Sequence, residues 1–348
     1  MSTEPSPTTI PDVDPQALRT WLSAIGLDVE GEVTASRVGL GQSNLTYVLR
    51  DAADGEWVLR RPPVGHLLAS AHDVVREARI LSALADTDVP VPRVHGVCTD
   101  ETVSAAPLVV MEYVSGAVLS DRSVAEPISA STRHEVGMAM TDVLARIHAV
   151  DLDDVGLADL ASHKPYAPRQ LKRWSTQWER SRTRDIPAVD ELTRRLAASA
   201  PEQTETTLVH GDFHLRNVMI DPATGSVTAA LDWELSTLGD PLADIGSSLA
   251  YWPEATDTVL RGEPVELMDG FPDRAGLAQA YLDRTGRDPQ ALKFWYTLGL
   301  WKVSIIAEGV VRRAQENPAN RAAAGVPTAE HVDGYVARAM AAAADAGI

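Results

Sequence analysis

The chain has 348 residues, of which 45% are hydrophobic, so it is long enough to bury a sizeable core in two packed lobes. Its 31 Lys and Arg stand against 49 Asp and Glu, and the formal net charge of −18 repels nucleic acid and anionic membrane surfaces. The single cysteine, Cys98, excludes an internal disulfide framework and favours a reducing, cytoplasmic location.

The first third of the chain predicts a small antiparallel sheet. Residues 1–29 are expected to comprise a disordered tail without a secretory signal, MSTEPSPTTIPDVDP, and a short helix, DPQALRTWLSAIG. From residue 30 the hydrophobic period changes to two, which predicts three strands and a hairpin turn at 53–55. A helix predicted over 71–85 and a buried strand in APLVVMEYVSG complete an N-terminal lobe of residues 30–114. The apolar face predicted for that helix consists of Val74, Val75, Ala78, Leu81 and Leu84.

Helical periodicity dominates the second part of the chain, residues 115–348, which we expect to form the catalytic and acceptor-binding lobe. The stretch FWYTLGLWKVSIIAEGVV contains Lys302 and Glu308, so it is interpreted as a core helix and not as a membrane span. The predicted fold class is therefore α+β and bilobal, with a smaller sheet-rich lobe and a larger, mostly helical one. Helices are predicted from about residue 131 and at 169–183, 188–199, 241–252, 274–285, 290–314 and 328–346.

The stretch LVHGDFHLRNVMI, residues 208–220, has the spacing of a catalytic loop. Asn217 follows Asp212 by five residues, the interval of the kinase motif H-R-D-x-x-x-x-N, and His210 precedes both. Phosphoryl transfer needs a carboxylate to accept a hydroxyl proton and oxygen ligands for Mg²⁺. Asp212 is thus predicted to be the base, and Asn217 and Asp232 to be metal ligands. The alternative is that these residues only shape turns and caps, as Asp and Asn do in many loops.

Nucleotide-binding groups are expected in the first lobe. In VGLGQSNLTYVL, Gly39 and Gly41 would let backbone amides approach phosphate oxygens, and Ser43 would add a hydroxyl donor. An ordinary strand turn explains these residues equally well. The end of VVMEYVSG predicts a hinge whose backbone pairs with an adenine edge, at Glu112, Tyr113 and Val114.

A cation for the phosphates is expected on the strand EWVLRRP. No lysine precedes Lys164, and strand alternation places Arg60 on the face shared with Val58, so Arg60 is the predicted cation. Glu77 on the following helix is its predicted partner. A solvated surface arginine and a local surface role for Glu77 are the alternatives.

Together these motifs resemble the aminoglycoside phosphotransferase family, which includes choline kinases and has a protein-kinase-like fold. GLGQSNLTYVL, VLRRPP, VVMEYVSG, LVHGDFHLRNVM and ALDWELSTLGDPLADIG are most similar to the branch that is also fused to acyl-CoA dehydrogenases. The resemblance covers about residues 30–315. It implies ATP and Mg²⁺ as cofactors and transfer of the γ-phosphoryl group to a hydroxyl of a small-molecule acceptor. It also implies the same roles for Asp212, Asn217, Asp232 and Arg60.

The acceptor is left open by the sequence. No A-P-E motif follows Asp232, so a protein substrate is not expected. Asp240 is predicted to cap a helix, Asp244 to secure the catalytic loop, and His214 to shape it. Acceptor contacts are possible for three groups of residues: aromatic (Trp252, Trp295, Tyr296, Trp301), acidic (Glu254, Asp257, Glu308) and basic (Arg312, Arg313, Arg321), with core packing the alternative for the aromatic ones.

Two other functions compete with a small-molecule kinase. A nucleotide-binding pseudokinase with a regulatory or scaffolding role is kept open by Arg60, which stands where many kinases have lysine. A metal-dependent hydrolase would draw on the same Asp and His residues but lacks a dense histidine cluster. The sequence does not indicate an oligomeric state.

Overall fold

The computed structural model describes residues 8–38, 44–63, 73–316 and 326–348. It divides into two compact units. The first is formed by Met1–Ser115 together with Leu231–Glu234, and the second by Gly116–Ala230 and Leu235–Ile348. A segment of only four residues, distant in sequence, is therefore part of the first unit.

An antiparallel sheet forms the centre of the first unit. Within the described residues it has five strands, in the order β1-β2-β3-β5-β4. The elements of this unit are α1 (Pro15–Ala24), β1 (Thr34–Val38), β2 (Leu45–Arg50), β3 (Glu56–Arg61), α2 (Val74–Leu84), β4 (Val94–Cys98) and β5 (Leu108–Glu112).

Alternation along the strands builds the core of this sheet. Tyr47 and Leu49 on β2 and Leu59 on β3 are buried in one cluster, and Leu18 and Leu22 of α1 pack against the same side. Complete burial of one such leucine contributes about 1.5–3 kcal/mol. Arg60 lies between two inward-facing residues of β3 and therefore projects from the other face of the sheet.

Helix α2 begins where Asp73 accepts a hydrogen bond from the Arg76 amide at 2.9 Å. Its buried face contains Val74, Ala78, Ile80, Leu81 and Leu84, and Glu77 is buried with them. The predicted face was wrong at Val75, which is 39% exposed. Val75 is about 100° further round the helix than Val74, which places it outside the arc occupied by the buried residues.

Helices make up most of the second unit. They are α3 (Arg122–Ala125), α4 (Ala130–His148), α5 (Tyr166–Ser181), α6 (Pro187–Ala198), α7 (Pro241–Tyr251), α8 (Arg274–Thr285), α9 (Pro289–Glu316) and α10 (Ala329–Ala346). Two short strand pairs accompany them: β6 (Thr207–Val209) with β9 (Thr237–Gly239), and β7 (Val218–Ile220) with β8 (Val227–Ala230). The mixed α+β fold class is confirmed, whereas β9 and α3 are elements that the sequence analysis did not predict.

Helices α7 and α9 form the centre of the second unit, and α7 is buried over nearly its whole length. Gly246 and Gly299 allow this, because a Cβ on Gly246 would lie 2.6 Å from the backbone of Trp295 and one on Gly299 would lie 2.7 Å from the carbonyl of Gly246. The backbones of the two helices thus approach too closely for any side chain at either position. No helix in the described part of the chain is long and apolar enough to span a membrane.

Candidate active site

The motif HGDFHLRN forms a loop between β6 and β7 of the second unit. Gly211 adopts φ +85°, and a Cβ there would lie 2.6 Å from the carbonyl oxygen of Leu235. Both the positive φ and the close approach require glycine at this position. The loop ends in a 3₁₀ turn, Leu215–Asn217, from which β7 starts.

The backbone of this loop is held by buried polar side chains. Asp244 of α7 accepts hydrogen bonds from the amides of His210 (2.5 Å) and Gly211 (2.8 Å), as predicted for this residue. Ser248, one turn later, donates to the carbonyl of Phe213 at 2.6 Å. Lys302 of α9 donates to the carbonyl of Gly211 at 3.1 Å. Donors and acceptors from two core helices therefore fix the loop conformation.

Two neighbouring side chains contact the Asp212 carboxylate, and both contact the same oxygen, Oδ2. His214 Nε2 lies 3.5 Å from Oδ2, and the Asn217 side-chain amide lies 3.3 Å from the same atom. Burial acts to raise the pKa of Asp212, but the hydrogen bond with His214 and the charges of His214, Lys302 and His210 lower the pKa to about 2. Asp212 is therefore ionised at neutral pH, and its Oδ1 has no hydrogen-bond partner among the described residues.

Asn217 is oriented by the same contacts. Its Nδ2 donates to the Asp212 carbonyl at 2.9 Å and points toward the Asp212 carboxylate. An amide that uses its nitrogen in this way leaves its Oδ1 as the free acceptor. This oxygen is a hard donor of the kind that Mg²⁺ prefers.

In the first unit, Arg60 contacts two carboxylates. Its Nη1 lies 3.2 Å from Glu77 Oε1, and its Nη2 donates to Asp232 Oδ1 at 3.1 Å. The ion pair expected with Glu77 is therefore present. Asp232 has φ +66°, which is unusual for a residue other than glycine. Its side chain is one-third exposed, and Arg60 contacts only one of the two carboxylate oxygens.

Glu77 is almost completely buried beside Arg60. Burial raises the pKa of Glu77 to about 7, while the attraction of Arg60 acts against this rise. The amide of Trp233 also donates to Glu77 Oε1, at 3.2 Å. Because two donors converge on one oxygen, we regard Glu77 and Arg60 as an ion pair. Asp232 and Trp233 are thereby both fixed to the first unit.

The predicted hinge residues, Glu112, Tyr113 and Val114, lie at the end of β5. The amide of Glu112 donates to the Arg93 carbonyl at 2.8 Å, so this N–H is used in pairing with the chain before β4. Tyr113 and Val114 follow the end of β5 and are half-buried. The predicted phosphate loop residues, Gly39, Gly41 and Ser43, lie outside the described residues.

A pocket of about 400 Å³ lies in the second unit near the catalytic loop. Arg216 and Tyr251 line it, and both also line a smaller cavity that includes His214, the neighbour of Asp212. Tyr251 packs edge-on against the His214 ring, with 5.3 Å between centroids. The pocket is lined by both apolar and charged residues. The apolar ones include Leu119, Val259, Val303, Ile306 and Val310, and the charged ones include Arg216, Arg338, Asp257 and Glu266.

Several acceptor candidates from the sequence are committed to structural contacts. Trp252, Trp295 and Trp301 are buried in the core, as the alternative interpretation held. Asp257 pairs with Arg274 and Arg338. Glu254 contacts Arg274, and Glu308 accepts hydrogen bonds from Thr183. Arg312 donates to the Arg180 carbonyl. Of the other candidates, Tyr296 is half-buried, Arg313 is exposed, and Arg321 lies outside the described residues.

Three residues that support the loop were not predicted from the sequence: Lys302, Ser248 and His148. Lys302 is buried with its ammonium 5.4 Å from the ring centroid of Trp174, and burial lowers its pKa while Asp212 and Asp244 oppose that shift. His148 lies 3.2 Å from Asp244. A polar residue on an otherwise apolar helix face is the sequence signal that could have identified Lys302 and His148. In the described parts of the chain, no group of three or more His, Cys, Asp or Glu side chains could hold a metal ion.

Comparison with known proteins agrees with this geometry. The profile of the phosphotransferase enzyme family matches residues 34–295, which include Arg60, the catalytic loop and Asp232. The chain belongs to this phosphotransferase family. The mouse protein acyl-CoA dehydrogenase family member 10 is 38% identical over 314 residues, which are 88% of this chain but 29% of the relative. The chain therefore spans less than a third of that curated relative's length.

Solved structures place this chain among protein-kinase-like folds. A candidate aminoglycoside phosphotransferase from Ralstonia eutropha is 31% identical and has a TM-score of 0.76, with 96% of this chain and 97% of that chain covered. Choline kinase from Cryptosporidium parvum shares the fold with a TM-score of 0.62 at 11% identity, over 96% and 97% of the two chains. The protein-kinase-like fold and the family resemblance are thus both confirmed.

Proposed function

We propose that this protein is a small-molecule kinase that transfers the γ-phosphoryl group of ATP to a hydroxyl group. The observation that carries the proposal is the state of Asp212. Its carboxylate is ionised, His214 and Asn217 hold its Oδ2, and its Oδ1 remains available to accept a proton. A side chain held in this way is a preorganised general base.

The reaction forms one bond and breaks another. The acceptor oxygen bonds to the γ-phosphorus as the bond from that phosphorus to the β-γ bridging oxygen breaks, and ADP leaves. The hydroxyl proton moves to Asp212 Oδ1 and passes to solvent when the products depart. A positioned base contributes about 10²–10⁴-fold to such a rate.

Mg²⁺ would be held by Asn217 and Asp232, according to their positions in the family motif. The free Oδ1 of Asn217 and the second carboxylate oxygen of Asp232 are hard ligands, so both residues fit this metal. The ion neutralises charge on the transferred phosphoryl group when bound. Arg60 would bind phosphate oxygens, with Glu77 fixing the guanidinium. Gly39, Gly41 and Ser43, and the hinge residues Tyr113 and Val114, keep their predicted roles with the nucleotide, whereas the amide of Glu112 is already bonded to the Arg93 carbonyl.

We assign the acceptor to the 400 Å³ pocket of the second unit, because Arg216 and Tyr251 connect it to the neighbourhood of the catalytic loop. The apolar residues of its lining suit a hydrocarbon chain. The side chain of Arg216 is exposed and makes no hydrogen bond or ion pair within the described residues, so it is available for an anion. Asp257, in contrast, is neutralised by two arginines.

The apolar residues of this lining favour an acceptor that carries a hydrocarbon chain. A hydroxyacyl thioester has this chemistry, and the relative named for acyl-CoA dehydrogenation makes it a natural compound to test first.

The test is a screen of hydroxyl compounds with MgATP, in which mass spectrometry detects the gain of one phosphoryl group. The library includes hydroxyacyl thioesters, amino alcohols and aminoglycosides. We expect phosphorylation by the wild-type protein and a loss of at least about 10²-fold with Asp212→Asn, with ATP affinity nearly unchanged. Near-normal turnover by Asp212→Asn would refute the assigned base. ATP binding without transfer to any compound would favour the pseudokinase.

A further inference from the structure

Below the catalytic loop, the second unit contains a line of buried polar side chains that take no part in the proposed reaction. His148 of α4 lies at its centre. Its Nε2 is 3.2 Å from Asp244 Oδ2, and its Nδ1 is 2.6 Å from the hydroxyl of Tyr281 on α8. All three side chains are at least 97% buried. Helices α4, α7 and α8 therefore meet at one hydrogen-bonded chain.

The protons in this chain follow from the partners of each group. The amides of His210 and Gly211 both donate to Asp244, and its hydrogen bond with His148 lowers its pKa against the effect of burial, so Asp244 is a carboxylate. A carboxylate only accepts, so His148 Nε2 must carry the proton. Burial lowers the pKa of His148, which favours the neutral ring, and Nδ1 of that ring accepts from the Tyr281 hydroxyl at 2.6 Å.

The line ends at a partly exposed ion pair. Arg287 donates to the Tyr281 hydroxyl at 3.2 Å and lies 2.7 Å from Glu205. Because Tyr281 receives this hydrogen bond on its oxygen, its own proton is directed to His148. Each group in the chain thus has one arrangement that satisfies all its neighbours.

We propose that His148 is a positioning residue of this kinase: Tyr281 fixes its Nε2–H tautomer, and this N–H holds the Asp244 carboxylate that fixes the amides of His210 and Gly211. This inference depends on the proposed function in one respect, because Asp212, the proposed base, lies in the loop that Asp244 holds. Loss of the Nε2–H donor would free Asp244 to rotate, and the two loop amides would lose their common acceptor. A side chain that merely fills space would not need a defined tautomer.

Two substitutions of His148 separate these possibilities. The amide nitrogen of Gln occupies nearly the position of Nε2, so His148→Gln keeps the donor to Asp244 and loses the acceptor for Tyr281. His148→Asn reaches only as far as Nδ1, so it keeps the acceptor and loses the donor. Thr141→Val is the matched control, because the buried Thr141 hydroxyl on the same helix bonds only to the Met138 carbonyl.

The first measurement is hydrogen exchange of the His210 and Gly211 amides in the whole protein without ligand. We expect His148→Asn to accelerate exchange about tenfold or more, and His148→Gln and Thr141→Val to stay within about twofold of wild type. Equal protection in the Asn and Gln variants would overturn the proposal. This result is independent of any phosphorylation, so it also remains valid if the proposed function fails.

The second measurement is the ring tautomer of His148, read from ¹⁵N shifts of histidine-labelled protein. We expect protonated Nε2 and unprotonated Nδ1 in the wild type, and loss of this pattern in Tyr281→Phe. A protonated Nδ1 in the wild type would contradict the assignment. Should the Asn variant fail to fold, Tyr281→Phe takes its place in the exchange measurement, with faster exchange of the two amides expected and unchanged exchange counting against the proposal.

The third measurement is the consumption of MgATP with water as acceptor. We expect His148→Asn to lower kcat about 10- to 100-fold with KM for ATP within about twofold, whereas His148→Gln keeps most of kcat. A purely structural role predicts instead that both variants lose stability and that neither changes kcat well below its unfolding temperature.

Discussion

At the scale of single residues, the contacts of Arg60 explain why a guanidinium stands on β3. Its two terminal nitrogens reach Glu77 and Asp232 separately, at 3.2 and 3.1 Å. An ammonium has one nitrogen and cannot span both carboxylates with the same geometry. Arg60 therefore fixes the position of Asp232 as well as that of Glu77.

Replacing Arg60 by lysine tests this double contact. We expect Arg60→Lys to weaken MgATP binding about tenfold, because Asp232 loses the partner that holds it. Titration calorimetry with MgATP measures the effect. Arg50→Lys is the control, since Arg50 pairs with Glu56 in a more exposed ion pair of the same sheet. Equal affinities for Arg60→Lys and the wild type would show that one cation at this position is sufficient.

Strand alternation predicted the face of Arg60 because a period of two depends on local sequence alone. The motif spacing placed Asp212 and Asn217 in one loop, where their side chains lie 3.3 Å apart, and Asp244 supports that loop as predicted. Lys302 and His148 were missed because they reach the loop from helices more than 60 residues away in sequence. Only the packing of α4, α7 and α9 brings them together, and no local pattern encodes such packing.

At the scale of elements, the turn that leads from β6 into the catalytic loop depends on Gly211. Gly211→Ala would place a Cβ 2.6 Å from the Leu235 carbonyl in addition to straining φ. We expect the free energy of unfolding to fall by about 1–2 kcal/mol for the left-handed conformation and by about 1–3 kcal/mol more for the clash.

Gly156→Ala is the matched control for that prediction. Gly156 also has positive φ, +69°, but a Cβ there would meet nothing within 4 Å. Urea unfolding of both variants separates the two contributions. The same loss of stability in both would mean that Leu235 moves aside without cost.

Helix α7 begins at Asp240, which accepts from the Leu242 amide at 2.9 Å. Burial raises the pKa of Asp240 from 3.8 to about 6. The folded protein therefore binds this proton more tightly than the unfolded chain, and the contribution of Asp240 to stability falls as pH rises from about 4 to 6.

Asp240→Asn keeps the cap but cannot ionise. We expect the variant to gain stability relative to wild type over this pH range, by on the order of 1–3 kcal/mol at pH 7. Urea unfolding at pH 4.5 and 7.5 measures the difference. Asp273→Asn, at the exposed N-cap of α8, is the control. A constant difference between Asp240→Asn and wild type at both pH values would contradict the raised pKa.

Periodicity predicted the long helices because each has a buried stripe, as in α4, where Val136, Met140 and Ile147 are buried. It failed for β9, whose three residues are too few to show a period. This strand exists because Thr237–Gly239 pairs with β6. Short elements of this kind are decided by tertiary pairing, which a single sequence does not display.

At the scale of the whole molecule, the net charge of −18 makes self-repulsion a measurable term in stability. We expect the melting temperature to rise by about 2–4 °C between 10 mM and 300 mM NaCl, because salt screens this repulsion. This rise corresponds to an increase of about 1 kcal/mol in the free energy of unfolding. Calorimetry at the two salt concentrations checks the prediction. A lower melting temperature in salt would indicate that the favourable ion pairs outweigh the excess of acidic groups.

The membership of Leu231–Glu234 in the first unit has a consequence for synthesis on the ribosome. When residues 1–115 have emerged, Arg60 and Glu77 are present, but Asp232 and Trp233 have not been made. More than a hundred further residues must be translated before the buried charges on β3 and α2 meet their remaining partners. The first unit therefore cannot complete its folding until residues 231–234 have also emerged from the ribosome.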